Sequence, residues 1–303
     1  MEKKRLNEIL GIRYPIIQGG MANIATGEFA AVCSEAGALG LIGSGGTRSA
    51  EELRRQIHIL RERTKKPFGV NLMLMNPETE KMVDIVCEEK VPVVTTGAGN
   101  PGAYMERFKA AGILVIPVVA APILAKHLER IGADAVIAEG CESGGHIGEM
   151  TTMTLIPQTV DAVDIPVIAA GGIADHRQMQ AVLTLGACGA QIGTALLAAE
   201  ECPIHENYKE AVLKAQGSDT IVTGRIGGTP VRVLKNQMSR EYVKREKAGE
   251  DRMELEKFTL GSLRRAVFEG DTKNGSLMAG QSCGQLKEIR PVAEILAEIC
   301  RGI

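Results

Sequence analysis

The residues best suited to chemistry lie together in one glycine-rich segment, residues 139–148. It follows residues 133–138, a short apolar run typical of a strand that is buried on both faces. Gly144 and Gly145 carry no Cβ, so backbone N–H groups beside them can come close to a ligand. His146 follows directly and can exchange a proton near neutral pH. An isolated motif of this kind would be a flexible loop with a solvated histidine, but similar arrangements recur along the chain.

Eight short apolar runs of this kind alternate with segments of helical periodicity. The runs begin at Pro15, Leu39, Pro67, Val91, Ile113, Ala133, Ile165 and Gly189. Alternating strands and helices predict a parallel sheet, and eight repeats predict a closed (β/α)8 barrel, the TIM barrel. Most runs end in glycine or a small polar residue, and the carboxyl ends of barrel strands form the face where active sites lie. We therefore expect a ligand across the mouth of the barrel.

The periodic pattern stops near residue 205, and long charged helical stretches follow, notably residues 240–257. A charge run of this kind is usually a solvated helix face. We predict that residues 206–271 form a small inserted cap domain. Residues 1–205 and 272–303 would then form the barrel, with a closing helix over residues 289–299.

Two glycine-containing strand ends follow the seventh and eighth predicted strands, at Gly171 and Gly172 and at Gly193 and Thr194. Loops at these places form the usual phosphate site of such barrels, with backbone N–H groups and a helix N-terminus as donors. Tight turns without a ligand are the alternative. Two such loops side by side favour the phosphate site.

Residues 97–102 match the dinucleotide pattern G-x-G-x-x-G. Their context argues against a Rossmann site, because Pro101 interrupts the turn and the next strand ends without an acidic residue for a ribose. We interpret this segment as a loop at the mouth of the barrel.

Three amide side chains interrupt the apolar strands near their ends: Gln18, Asn71 and Gln191. A buried amide is costly unless it is hydrogen-bonded. A satisfied core asparagine is possible at residue 71, but its place at the carboxyl end of a strand favours a side chain that faces the ligand.

Composition excludes several classes of function. The net charge of −2 favours neither nucleic acid nor a membrane surface, and 3% aromatic residues without tryptophan provide few platforms for base stacking. The N-terminal segment has no apolar stretch behind its basic residues, so we expect no signal peptide. No apolar run approaches the roughly 20 residues of a membrane helix. We expect a cytoplasmic protein with no nucleic-acid or membrane partner.

The seven cysteines are scattered, with no CxxC and no zinc-ligand spacing, so we expect reduced thiols and no metal site. Cys141 lies in the candidate active loop. A catalytic thiol there is less well supported than a bystander.

Seven segments together carry a family resemblance: QGGMA at 18–22, PFGVNLML at 67–74, TTGAGNP at 95–101, AEGCESGGHIG at 138–148, AAGGIAD at 169–175, QIGTA at 191–195 and MAGQ at 278–281. They resemble the nitronate monooxygenase / 2-nitropropane dioxygenase superfamily. Within it, the chain is most similar to the flavin-dependent, FabK-type enoyl-acyl-carrier-protein reductases. The match runs almost end to end and in order, so it is more specific than any single motif.

The resemblance implies an FMN-containing barrel with a cap, commonly a homodimer, in which His146 is the catalytic residue. It implies NADH or NADPH as co-substrate, enoyl-acyl carrier protein as substrate, and a monovalent cation as a further candidate cofactor. The residues that it assigns to FMN are Gly20, Met21, Asn71, Glu139, Gly144, Gly145, Gly171, Gly172, Gln191, Ile192, Gly193, Thr194, Met278 and Gln281.

One position and one segment help to separate the branches of the superfamily. Monooxygenases commonly carry glutamine where this chain has Glu139, and KNQMSR at residues 235–240 resembles the reductases. The resemblance therefore predicts an FMN-dependent enoyl-acyl-carrier-protein reductase of bacterial fatty-acid elongation. The alternatives are a nitronate monooxygenase and a flavin-free phosphate-binding barrel such as an isomerase or lyase.

Overall fold

A parallel eight-stranded barrel forms the body of the molecule in the computed structural model, which describes residues 4–47 and 49–303. The strands in chain order are β1 Ile16–Gln18, β2 Gly40–Gly43, β3 Phe68–Met73, β4 Val93–Gly97, β5 Leu114–Val119, β6 Val136–Glu139, β7 Gly145–His146, β8 Val167–Ala170, β9 Gly189–Ile192, β10 Thr220–Thr223 and β11 Val231–Leu234. The barrel strands lie in the order β1-β9-β8-β6-β5-β4-β3-β2. The Gln18 N–H donates to the Leu39 carbonyl over 2.9 Å, which brings β1 beside β2 and closes the barrel. The predicted TIM barrel is confirmed.

Helices follow the barrel strands in alternation. In chain order the helices are α1 Leu6–Leu10, α2 Gly27–Ala36, α3 Ala50–Arg63, α4 Thr79–Glu88, α5 Met105–Ala110, α6 Pro122–Arg130, α7 Thr152–Val160, α8 His176–Thr184, α9 Glu206–Lys214, α10 Gln237–Lys247, α11 Arg252–Thr259, α12 Ser262–Arg264 and α13 Val292–Ile299. The predicted closing helix corresponds to α13, which packs against α2 and α8. No helix among the described residues is both long enough and apolar enough to cross a membrane.

Helix α3 illustrates how local sequence sets these elements. The Ser49 side chain accepts a hydrogen bond from the Glu52 N–H over 3.2 Å and caps the first turn. Leu53, Ile57 and Leu60 then recur at helical spacing and are buried. One face of α3 therefore packs on the barrel, and the charged face remains in water.

A buried apolar cluster includes one side chain from each of six barrel strands and two from α1, namely Ile17, Leu41, Val93, Ile116, Ile137, Ile168, Leu6 and Leu10. Layers of branched side chains of this kind fill the interior of TIM barrels. Gln18 is also fully buried, and its amide accepts from the Leu41 N–H (3.1 Å) and donates to the Leu41 carbonyl (3.2 Å). Gln18 is thus a satisfied core residue that fastens β1 to β2.

The segment that was predicted as a cap contains α9–α12 and the hairpin β10–β11. Strand β11 also pairs antiparallel with β7, so a strand from the candidate active loop completes a three-stranded sheet. The Tyr208 hydroxyl, fully buried, donates to the Met278 carbonyl over 2.8 Å. The division at residues 206–271 stays a prediction, and the contacts across it are extensive.

Candidate active site

A cavity of about 660 Å³ opens at the carboxyl ends of the barrel strands. Its volume is typical of a site for a cofactor or small molecule. Of the predicted site residues, the structure brings the following to its wall: Gly20, Met21, Asn71, Glu139, Gly144, Gly145, His146, Gly171, Gly172, Gln191, Ile192, Gly193, Thr194 and Met278. Gln281 is not among the lining residues. Its side chain is exposed, and its backbone N–H donates to the Glu142 carbonyl over 2.9 Å.

Backbone hydrogen bonds hold the loop that follows β6. The Gly140 N–H donates to the Ala170 carbonyl (2.9 Å), and the Cys141 N–H donates to the Met150 carbonyl (2.8 Å). A Cβ at Gly144 would lie 2.7 Å from the carbonyl carbon of Ala279, closer than real Cβ atoms come. Packing against the backbone of Ala279 therefore requires glycine at residue 144, whether or not a ligand is bound.

His146 lies on β7 opposite Val231 and faces the cavity. Its side chain is partly open to solvent, but the surrounding protein removes enough water to lower the pKa of the imidazole. The neutral ring therefore dominates at neutral pH, with one nitrogen as a hydrogen-bond donor and the other as an acceptor. No ring hydrogen bond to another residue occurs within the described parts of the chain. The ring is free to meet a substrate.

Glu139 ends β6 inside the cavity. Burial raises the pKa of its carboxyl group to about 7, and the nearby Ser143 hydroxyl only partly offsets this. No ion pair joins it to any cation in residues 4–47 or 49–303. The carboxyl group is therefore close to half protonated at neutral pH and can act as a donor or an acceptor.

Glu139→Gln is expected to remove a pH-dependent cost of folding. The native pKa of about 7 lies above the ordinary value of 4.5, so ionisation of Glu139 weakens the wild-type fold as pH rises from 4.5 to 7. A shift of this size corresponds to about 3 kcal/mol. The variant should exceed the wild type in free energy of unfolding by that order at pH 8, and the difference should vanish below pH 4.5.

Urea unfolding of flavin-free protein across pH measures this difference. Glu106→Gln, a substitution at an exposed residue of α5, is the control. A difference between Glu139→Gln and the wild type that does not change with pH would contradict the assigned ionisation.

The predicted phosphate loops lie next to each other at the cavity wall. Gly171 and Gly172 have φ angles of +94° and +76°, which side chains rarely adopt. A Cβ at Gly193 would contact only Met21, at 3.6 Å or more, so the protein itself leaves open space there. The Thr194 hydroxyl accepts from the Gly280 N–H over 2.9 Å and still has a proton to donate.

The N-terminus of α8 offers no free donors to a phosphate. The Asp175 side chain accepts from the N–H groups of Arg177 (2.9 Å) and Gln178 (3.4 Å) and completes a capping box at the start of α8. A carboxylate already occupies these donors. The short 3₁₀ helix Thr194–Ala198 beside the glycine loops has no side-chain cap at its start, and its use for a phosphate stays a prediction.

Further polar groups of the cavity wall fit a flat ring with donors and acceptors. The side-chain oxygen of Gln191 is buried without a hydrogen-bond partner, and such an atom costs free energy unless a ligand satisfies it. The Asn71 amide donates to the Thr95 hydroxyl over 2.9 Å, and a Cβ at Gly20 would overlap the Asn71 side chain. Together with the glycine loops, these groups fit a flavin mononucleotide.

Sequence reasoning missed Leu263 and Arg232, which lie at or beside the cavity. Leu263 of α12 lines it, and Arg232 of β11 contacts the loop that follows β6. Ala98 and Gly99 also line it and belong to the segment that was interpreted as a loop at the mouth of the barrel. The sequence did contain a signal for Arg232, because a charged residue within the otherwise apolar strand VRVL is unusual when that strand is buried. Leu263 stands in a strongly charged segment and gave no comparable signal.

Comparison with known proteins decides the family. The family model described as nitronate monooxygenase matches residues 3–83 and 78–302 of the chain. The chain belongs to the nitronate monooxygenase family. As a member of this family of flavin-dependent oxidoreductases, it is an oxidoreductase. No group of His, Cys, Asp and Glu that could hold a metal ion occurs within the described residues of this family member.

Three relatives show how this family member compares with known proteins. The structure of FabK from Thermotoga maritima matches with a TM-score of 0.95 and 50% identity over 99% of this chain and 95% of that chain. A probable nitronate monooxygenase of Staphylococcus saprophyticus is 34% identical over 92% of this chain and 91% of its own length. The (3aS,4S,5R,7aS)-5-hydroxy-7a-methyl-1-oxo-octahydro-1H-indene-4-carboxyl-CoA dehydrogenase of Rhodococcus jostii is 37% identical over 77% of this chain, and the match covers 66% of the dehydrogenase.

Proposed function

We propose that the chain is an FMN-dependent enoyl-acyl-carrier-protein reductase that reduces trans-2-enoyl thioesters with NADH or NADPH in fatty-acid elongation. The observation that carries this proposal is the 50% identity to FabK of Thermotoga maritima over nearly the whole chain. Glu139, at the position where the monooxygenases commonly carry glutamine, supports the same assignment.

The proposed cofactor site uses residues of the cavity wall. Gly172, Gly193 and Thr194 would hold the FMN phosphate, and Asn71 and Gln191 would meet the ring system. Bound FMN supplies hydride transfer between a nicotinamide nucleotide and the β-carbon of an enoyl thioester. The protein contributes binding, orientation and the control of charge.

His146 would act where charge develops on the substrate. Reduction at the β-carbon leaves negative charge on the thioester oxygen as an enolate, and a donor directed at this oxygen lowers the barrier. Because the pKa of His146 is lowered, its neutral N–H is the available donor at neutral pH. This favours hydrogen bonding to the enolate oxygen over proton donation by an imidazolium to the α-carbon.

The proposal also includes the molecules with which the protein would interact. Acyl carrier protein would deliver the substrate, and the cap would cover the flavin and help admit the nucleotide and the carrier. A homodimer, a monovalent cation and a cytoplasmic location stay predictions.

A nitronate monooxygenase is the second candidate. The 34% identity to the Staphylococcus saprophyticus protein over 91% of its length favours it. In that function His146 would abstract or position a proton of the nitroalkane or nitronate.

Substrate-dependent turnover separates the two candidates. We expect the FMN-loaded protein to oxidise NADH or NADPH with a crotonyl thioester in the absence of oxygen. Its kcat/KM in this assay should be at least about 100-fold above the value for a nitroalkane under air. Oxygen-dependent turnover of a nitroalkane without NAD(P)H, in the absence of thioester reduction, would establish the second function instead. A purified protein that lacks the visible flavin spectrum and binds no added FMN would overturn both.

A further inference from the structure

Arg232 is a buried arginine of the hairpin β10–β11, outside the set of residues assigned to the reaction above. Only 7% of its surface is exposed, and it lies opposite Gly145 in the pairing of β11 with β7. Val233 and Leu234, which follow it on β11, are buried and apolar. A charged side chain at this point of the fold therefore requires an explanation.

The guanidinium group makes three hydrogen bonds. Its Nε and Nη2 atoms donate to the Cys141 carbonyl over 2.9 and 2.8 Å, and its Nη1 atom donates to the Thr220 hydroxyl over 2.9 Å. This is the planar fork that lysine cannot reproduce. Within the described ranges 4–47 and 49–303, no carboxylate forms an ion pair with Arg232.

Burial without a carboxylate makes this arginine costly. Desolvation lowers the pKa of its guanidinium group, the direction expected for a cation that has lost water without gaining an anion. An apolar residue of similar volume would avoid that cost. What the arginine supplies instead is a double hydrogen bond to one backbone carbonyl of the loop after β6.

The contacts of this strand span the segment that carries His146. Arg232 binds the Cys141 carbonyl at the start of residues 141–147, and the Ile147 N–H at its end donates to the Pro230 carbonyl over 3.1 Å. Between these points β7 pairs with β11. Because no other residue within the described chain holds the His146 ring, its direction depends on this backbone.

We propose that Arg232 is a positioning residue that fixes residues 141–147, and through them His146, relative to the cap. The substrate-dependent part of the test rests on the proposed function. Backbone exchange in the same loop does not depend on the proposed function. A failure of the positioning proposal can therefore be distinguished from a failure of the proposed function.

The first test is amide hydrogen exchange in Arg232→Met, Arg232→Lys and the control Arg54→Met. Arg54 also donates two side-chain hydrogen bonds, to Glu88 and Glu89, but it lies on α3 at the outside of the barrel. We expect amides of residues 145–147 to exchange at least about tenfold faster in Arg232→Met, less so in Arg232→Lys, and at the wild-type rate in Arg54→Met. Unchanged exchange in folded Arg232→Met, or equal acceleration in Arg54→Met, would overturn the proposal.

The second test separates the half-reactions by stopped flow. Arg232→Met should bind FMN and be reduced by NAD(P)H at a near wild-type rate, whereas oxidation by crotonyl thioester should slow about 10- to 100-fold because the donor is misplaced. Arg232→Lys should recover at least part of this loss. If Arg232→Met does not fold, Arg232→Lys takes its place in both tests, with a smaller loss expected in each.

Faster loop exchange with an unchanged thioester step would exclude a role in placing His146. A wild type that reduces no enoyl thioester would refute the proposed function, and the exchange result would then decide the positioning role alone.

Discussion

His146→Ala is expected to slow oxidation of the reduced protein by crotonyl thioester by about 10²–10³-fold. Reduction by NAD(P)H should remain near the wild-type rate, because hydride transfer from the nicotinamide needs alignment and no proton donor. FMN content should also be retained, since the predicted phosphate loops lie on other strands. Stopped-flow measurement of the two half-reactions separates these effects.

Two comparisons make the His146→Ala result specific. His58→Ala removes an exposed histidine of α3 that contacts Glu89 and does not line the cavity, and it should change neither half-reaction. Because a protonated imidazole keeps its N–H donors, the wild-type thioester step should not fall as pH drops through the lowered pKa of His146, whereas a histidine acting as a base would lose its function there. Equal slowing of both half-reactions, or of neither, would contradict the assigned role.

Gly193→Val is expected to give folded protein that has lost its flavin. The φ angle of Gly193 is −127°, and its Cβ would contact only Met21, so the polypeptide itself can accommodate a side chain. That side chain would enter the space predicted for the phosphate. Displacement of the phosphate from the donors of this loop would weaken FMN binding by about 100-fold or more.

Fluorescence titration with FMN and a thermal unfolding curve of the flavin-free protein measure the two parts of this result. Gly193→Ala adds a single methyl group and should weaken binding less, while both variants should unfold near the wild-type temperature. Full flavin occupancy in Gly193→Val would place the phosphate elsewhere.

The barrel was predictable because a strand that is buried on both faces consists of a continuous run of apolar residues in the sequence. Each of the eight runs overlaps a barrel strand, as the run 133–138 overlaps all of Val136–Glu139 except its last residue. Strand β7 was not predictable, because two residues, Gly145 and His146, carry no periodicity. Its pairing depends on β11, far along the chain.

The site was predictable in part, for a similar reason. Glycines at strand ends mark the mouth of the barrel, and the structure brings nearly all of them to one cavity. Gln281 came from a motif alone, and its side chain is exposed away from the cavity wall. The contact of Arg232 with Cys141 joins residues 91 apart, and no local pattern encodes a bond of that separation.

The three-stranded sheet β10-β11-β7 limits which chain segments can be exchanged between members of this family. Two of its strands come from the segment predicted as the cap and one from the loop that bears His146, so residues 206–271 grafted from a relative would lack their own third strand. A working hybrid therefore needs residues 140–150 from the same donor as the hairpin. In evolution, substitutions in the hairpin and in this loop should be inherited as one unit, even though 69 residues of chain lie between them.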